Sequence, residues 1–220
     1  MGNKHSNRKK LYESDEKDIE STSDRMNLGQ NVMREIWQGN FSSPIDDVLK
    51  KGARVLDHDI LKGLPFEDNS FDFVRAQMLT FDIAESDWKN IVYKEFCRVL
   101  KPGGWLEMVE LELTWYNPGP LTTQLYNSGI DPLLTKRHKE LMLSMPNLTL
   151  VQQEERIYPL GSWAGKIGIL AETFINDSCR NVLSWAFPKK DIEKTLNKMS
   201  AESETYRSYL ITFRLFAKKT

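Results

Sequence analysis

Pro102-Gly103-Gly104 is the feature that most constrains this chain. Proline has no amide donor and glycine is costly inside a regular element, so the triplet with Lys101 before it must be a turn that ends a helix. Upstream, Trp88, Ile91, Val92, Cys97 and Val99 recur near one side of a helical pattern that Ser86 can cap. Downstream, Trp105 to Val109 reads as a strand, and Phe71-Asp72-Phe73-Val74 reads as another before the helix. Strands alternating with helices predict an α/β sheet with helices on both faces. Such sheets bind ligands at the carboxyl ends of their strands.

The rest of the chain fits that frame. Leu28, Val32, Met33 and Ile36 recur at helical spacing. Ser43-Pro44 is placed to cap a short helix carrying Ile45, Val48 and Leu49, which Gly52 ends. Ala53 to Asp57 reads as a short strand, and 58–70 is rich in turn residues. Further on, 121–145 is helical with a break at Asn127-Ser128-Gly129, and Leu148 to Tyr158 is a strand. Then come helices over about 167–187 and 190–200, and a final strand over Tyr206 to Phe216, rich in aromatic and β-branched residues. Residues 1–25 lack apolar periodicity and carry a basic cluster followed by an acidic one, so they read as a disordered tail before a single domain over 26–220.

Composition removes several function classes. Lys and Arg number 30 against 31 Asp and Glu, a balance that argues against a dedicated nucleic-acid binder. Cys97 and Cys179 are the only cysteines, which excludes a disulfide framework and a Cys-rich zinc site. His5, His58 and His138 lie far apart, with no HExxH pair and no GxSxG elbow, so no metal site is expected. No apolar run reaches the roughly 18 residues of a membrane span, and the start of the chain has no signal-peptide core. The expectation is a cytoplasmic, reducing location.

Two segments carry a resemblance. One is His58-Asp59-Ile60-Leu61-Lys62-Gly63-Leu64-Pro65-Phe66-Glu67-Asp68-Asn69-Ser70-Phe71-Asp72-Phe73-Val74; the other runs from Glu95-Phe96-Cys97-Arg98-Val99-Leu100 through Lys101-Pro102-Gly103-Gly104 to Trp105-Leu106. In this order and spacing they resemble the fourth and fifth strand regions of class I S-adenosylmethionine-dependent methyltransferases, and the type 11 subgroup in particular. Either segment alone has an ordinary structural explanation; their joint occurrence does not. The resemblance implies a Rossmann-like sheet and S-adenosylmethionine as cofactor. It implies that Asp57 closes the first strand beside the methionine end, and that Asp59 with the Ile60 amide meets the adenine ring. Arg75, Ala76 and Gln77 would then lie beside cofactor and substrate, with Gln77 a contact. It names no catalytic residue, because the sulfonium is already an activated donor and catalysis is mainly positioning.

One part of the family pattern is missing. The first strand should lead into a Gly-rich loop and a helix, and a second strand should end in an acid that holds the ribose. Here His58-Asp59 follows Asp57 at once. Two βα units, on the order of 40–60 residues, are absent. Both flanks match up to the junction at 57/58, as an omitted exon or an internal deletion would leave them. The family's usual strand order, 3-2-1-4-5-7-6, would lose strands 2 and 3 and keep 1-4-5-7-6. The expectation is a truncated sheet with a bared edge and a marginal fold.

The functional expectation is methyl transfer to a small-molecule or protein acceptor, impaired in this chain. A non-catalytic scaffold or regulatory binder is the alternative. Separately, Met1-Gly2-Asn3-Lys4-His5-Ser6 matches the N-myristoylation pattern, with Lys4, Arg8, Lys9 and Lys10 beside it. Acylation at Gly2 plus the basic cluster would tether the chain to a membrane surface.

Overall fold

The computed structural model describes residues 16–45, 47, 50, 60–79, 83, 85–126, 133–183 and 188–220. Helix α1 (Glu16–Trp37) comes first. A single 3-10 turn at Ile60–Lys62 precedes strand β1 (Phe71–Gln77). Helix α2 is a composite of Glu85–Asp87, a π-helical turn at Trp88–Val92, and Tyr93–Val99. Strand β2 (Leu100–Tyr116), α3 (Pro120–Tyr126), α4 (Leu133–Leu143) and β3 (Leu148–Pro159) follow. The chain closes with α5 (Gly165–Leu183), α6 (Lys189–Tyr206) and β4 (Tyr209–Lys219).

The four strands form one mixed sheet in the order β1-β2-β4-β3. β1 and β2 are parallel, whereas β4 is antiparallel to both β2 and β3. The α/β class and the covering of both faces follow the sequence expectation. The expected first strand at 53–57, and with it any statement about the shortened edge, lies outside the described residues.

Period-2 alternation sorts the sheet's side chains onto two faces. Leu106 and Met108 of β2, with Phe213, Leu215 and Ala217 of β4, pack against Trp88, Val92, Tyr93 and Phe96 of α2 and Met142 of α4. Val109 and Leu111 of β2, with Tyr158 of β3 and Leu210 of β4, pack against Val32, Met33 and Trp37 of α1 and Phe174 and Ile175 of α5. A smaller cluster ties Ile192, Leu196 and Met199 of α6 to Trp115, Leu121 and Leu125.

Three expectations are corrected. First, α1 starts at Glu16, inside the segment 1–25 read as tail; residues 1–15 lie outside the described residues. The helix forms despite the missing apolar periodicity, and Val32, Met33 and Trp37 supply buried apolar side chains further along it. Second, Lys101-Pro102-Gly103-Gly104 is not a turn that separates elements but a bulge inside β2. Two steps of β1, Phe71 to Phe73, face five steps of β2, Leu100 to Trp105. Gly103 sits at φ +79, and a Cβ on Gly104 would lie 2.8 Å from the Asp72 carbonyl oxygen, so both positions suit glycine for different reasons. Third, the last strand runs three residues later than expected, because α6 continues to Tyr206. It ends at Arg207, which takes a left-handed conformation with its N–H on the Ser203 carbonyl.

Ser43 does not present a free capping hydroxyl. It is buried, and its Oγ donates to Glu107. Asp47 and Lys50 are helical, while Val48, Leu49 and Gly52 lie outside the described residues.

Candidate functional site

The two motif segments turn out to be physically joined. Arg98 on α2 donates to both Glu95 carboxylate oxygens, at 2.8 Å each. It also donates to the carbonyls of Leu64 at 2.9 Å and Phe66 at 2.7 Å, and to Asp68 at 2.9 Å. Glu95 in turn accepts the Leu64 N–H at 2.8 Å. The Arg98 guanidinium holds the Glu95 carboxyl below its ordinary value. Asn69 and Ser70 donate their N–H groups to the Arg98 and Val99 carbonyls, and Phe66 meets Phe71 edge-on at 4.9 Å. Leu64-Pro65-Phe66 and Glu95-x-x-Arg98 therefore occur together because one clamps the other. This clamp delivers the chain into β1.

The carboxyl end of β1 is fastened with equal care. Met78 has φ +55, a left-handed conformation that costs a non-glycine residue about 1–2 kcal/mol. Its N–H donates to the Val109 carbonyl, and the next N–H, of Leu79, donates to the buried Glu110 carboxylate at 2.9 Å. Two contacts thus hold the strained residue where this fold class places ligands.

The candidate residues fall as follows. Gln77 closes β1 and lines a recess of about 100 Å³ together with Arg75. Ala76 is buried against α2's face. Ile60 opens the 3-10 turn and is 7% exposed, packed into the core on that same α2 face. Gln77 lines its recess with Asn31 and Arg34 of α1, so the structure places it and the Ile60 side chain in different layers. Asp57, Asp59 and Gly2 lie outside the described residues, as does His58.

Beside Gln77 is a charged cluster in which Arg75 was a candidate from the sequence and Glu107 and Arg214 were not. Glu107 of β2 is fully buried, and its Oε2 accepts the N–H groups of Ser42 and Ser43 and the Ser43 hydroxyl, all at 2.8 Å. Arg75 Nε lies 3.6 Å from Glu107 Oε1. Arg214 of β4, 2% exposed, donates to the Gly39 carbonyl at 2.6 Å and to Ser42 Oγ at 3.3 Å, and its guanidinium lies 4.6 Å from the Trp37 ring centroid. Burial pushes both guanidinium groups down from their ordinary value, with Glu107 opposing the shift. The signal available in advance was a glutamate at 107 in a strand otherwise apolar on that face. Its partners at 42, 43, 75 and 214 are too distant in sequence to be inferred.

The remaining chemistry-bearing groups are quiet. Tyr93 Oη and His138 Nδ1 lie 3.1 Å apart in the core, and burial pushes His138 down to about 4. Burial also raises the Cys97 thiol, and raises Cys179 to about 11. Among the described residues no group of three or more metal-ligating side chains occurs, and no helix is long and apolar enough to cross a membrane.

Residues 30–108, from α1 to the middle of β2, match the family model described as a methyltransferase domain. Over that span the chain is similar to methyltransferase domains. Two curated methyltransferases agree. The ubiquinone/menaquinone biosynthesis C-methyltransferase UbiE of Chromobacterium violaceum is 34% identical over 89 residues, covering 37% of this chain and 34% of that protein. The UbiE of Laribacter hongkongensis is 32% identical over 110 residues, covering 46% and 43%. The chain thus spans well under half the length of these curated relatives. Among solved structures it is similar to the Haemonchus contortus phosphoethanolamine N-methyltransferase 2 in complex with phosphomonomethylethanolamine and S-adenosylhomocysteine, at 16% identity. That match covers 70% of this chain and 34% of that one, with a TM-score of 0.37. A sarcosine dimethylglycine methyltransferase of Galdieria sulphuraria matches at 19% identity over 73% of this chain and 57% of its own, with a TM-score of 0.35.

Proposed function

We propose that this chain is a methyltransferase-family protein with an incomplete S-adenosylmethionine site, so that methyl transfer to its small-molecule or protein acceptor is impaired. The observation that carries the reading is the Asp57-His58 junction, which falls inside the matched span 30–108. A class I site approaches the cofactor with backbone at a Gly-rich strand-to-helix loop. The described glycines of that span are Gly39, Gly63, Gly103 and Gly104, and none of them follows a strand. Gly63 lies beside the Arg98–Glu95 clamp, where an added Cβ would come 3.7 Å from Glu95 Oε2, and Gly104 sits against Asp72. The residues in place therefore do not fit the whole cofactor. They leave the adenine side to Asp59 and Ile60, and the ribose and methionine ends without matched partners. Loss of two charge-assisted ribose contacts costs about 3–6 kcal/mol, or roughly 10²–10⁴ in affinity.

A second reading, a non-catalytic scaffold, draws support from the same junction together with the closed packing of the retained sheet. Calorimetric titration of S-adenosylmethionine separates the two. The unmodified chain is expected to bind weakly or not at all, and a family-typical loop, helix and strand inserted between Asp57 and His58 is expected to restore binding. Micromolar binding by the unmodified chain would overturn the impaired reading. Failure of the inserted variant, once shown to be folded, would favour the scaffold.

The N-terminal pattern supports a peripheral membrane proposal: Gly2 carries a myristoyl chain and Lys4, Arg8, Lys9 and Lys10 supply the second, electrostatic signal. Membrane fractionation of wild type and Gly2→Ala tests it, since equal soluble distributions remove the anchor.

A further inference from the structure

We infer that the recess between α1 and the β1–β2–β4 surface is a binding site for a small anion, a phosphate- or carboxylate-bearing ligand. Arg34, Arg75 and Arg214 line it, with Gln30, Asn31 and Gln77 supplying neutral polar groups. Its volume is about 100 Å³, small enough for a single anionic group and too small for an extended molecule.

Charge carries the inference. Around the recess, among the described residues, stand Arg34, Arg75, Arg214 and Arg156, opposed by Glu107 and Glu154. Two positive charges are in excess. Glu107 Oε2 accepts three bonds from Ser42 and Ser43, while Oε1 faces Arg75 Nε at 3.6 Å without a hydrogen bond. Glu154 accepts the Ser42 hydroxyl at 2.8 Å. Neither carboxylate is hydrogen-bonded to Arg214.

Arg214 supplies the second, independent observation. It is 2% exposed and lines the recess, yet its Nε finds no acceptor. A buried guanidinium with an unmet donor is costly unless an acceptor arrives. Burial holds Arg75 and Arg214 below their ordinary value while both remain charged, so an anion in the recess would meet two partly desolvated guanidinium groups. Arginine forks match phosphate and carboxylate geometry better than they match water. Arg34 is exposed at the rim, with one long contact to Asn31 at 3.4 Å, and is free to close over a ligand.

The site does not depend on the cofactor reading. Inorganic phosphate is the probe, titrated into the full chain at constant ionic strength with chloride as the control. Saturable binding is expected, weakened at least threefold by Arg34→Gln and at least tenfold by Arg34→Glu. Arg180→Gln, on the remote α5, is expected to bind like wild type. Arg34 makes no core contact, so a circular dichroism spectrum like wild type certifies the variants. Absence of saturable phosphate binding in wild type, or equal binding by Arg34→Glu, overturns the inference. A competition arm with saturating S-adenosylhomocysteine identifies the source. Displacement of phosphate assigns the recess to the carboxylate of that molecule, and undisturbed phosphate binding assigns it to an anionic acceptor.

Discussion

The two faces of one sheet bury charge differently: one holds a single carboxylate among apolar side chains, the other pairs a carboxylate with arginines. On the α2 and α4 face, Leu106, Met108, Phe213 and Leu215 meet aromatic and aliphatic side chains, the polar pair Tyr93 and His138 is buried, and Glu110, paired with Phe213, is a buried carboxylate that accepts the Leu79 N–H. On the α1 and α5 face, the neighbouring strand positions Glu107 and Arg214 are charged and equally buried. Replacing a buried ion pair by well-packed apolar residues is commonly neutral or stabilising, so a charged cluster is weak evidence for stability. The apolar face accounts for the fold. The charged face, which also carries Gln77, is where a function has to be sought.

The largest expected effect tests that division at adjacent residues. Glu107→Ala removes the acceptor of three bonds and leaves Arg75 and Arg214 without their nearest carboxylate, at a cost of about 3–5 kcal/mol. Met108→Leu, one residue on and facing the other way, keeps volume and costs less than about 1.5 kcal/mol. Urea denaturation of both variants measures the contrast. A loss below about 1 kcal/mol for Glu107→Ala would show the cluster to be water-exposed in solution, and the comparison would collapse.

The apolar face has its own titration. Burial pushes His138 down to about 4, against an ordinary value of 6.5. The unfolded chain then binds the proton more readily than the folded one. Stability is therefore full above about pH 6.5 and falls as pH drops toward 4, by roughly 3 kcal/mol at about 1.4 kcal/mol per unit. His138→Gln is expected to flatten that slope whatever its effect on absolute stability. A slope unchanged in the variant would place the titrating group elsewhere.

How much of this was legible follows the same division. The apolar face is periodic, so its strands and helices were readable, including β1, β3 and the helical run of α2. The Pro-Gly-Gly break was read correctly as an interruption but misread as a boundary. A bulge and a turn share local chemistry and differ only in what the neighbouring strand does, here Asp72 closing against Gly104. The end of α6 was invisible because Arg207 adopts a left-handed cap without being glycine. The two motif segments could be recognised as a pair, but the reason for the pairing, Arg98 reaching the Leu64 and Phe66 carbonyls, spans more than thirty residues. Glu107 and Arg214 were illegible for the same cause. A buried charge declares itself only through partners, and these come from four separate segments.

The smallest effect probes how rigid the charged face is where α1 meets α5. A Cβ on Gly29 would lie 2.6 Å from the Phe174 ring, closer than real contacts allow. Two terms oppose. Gly29→Ala relieves helix entropy by about 1 kcal/mol, while overpacking costs about 1–3 kcal/mol. A net loss of about 0–2 kcal/mol is expected if the ring cannot turn away. The double variant Gly29→Ala with Phe174→Leu separates the terms, because a shorter side chain removes the clash and leaves the helical gain. The single changes should then be non-additive by about 1–2 kcal/mol, with the pair more stable than their sum. Additivity would mean that Phe174 already moves freely. The α1–α5 seam would then be loose, and the wall that α1 gives the anion recess would be set by its own helix rather than by packing.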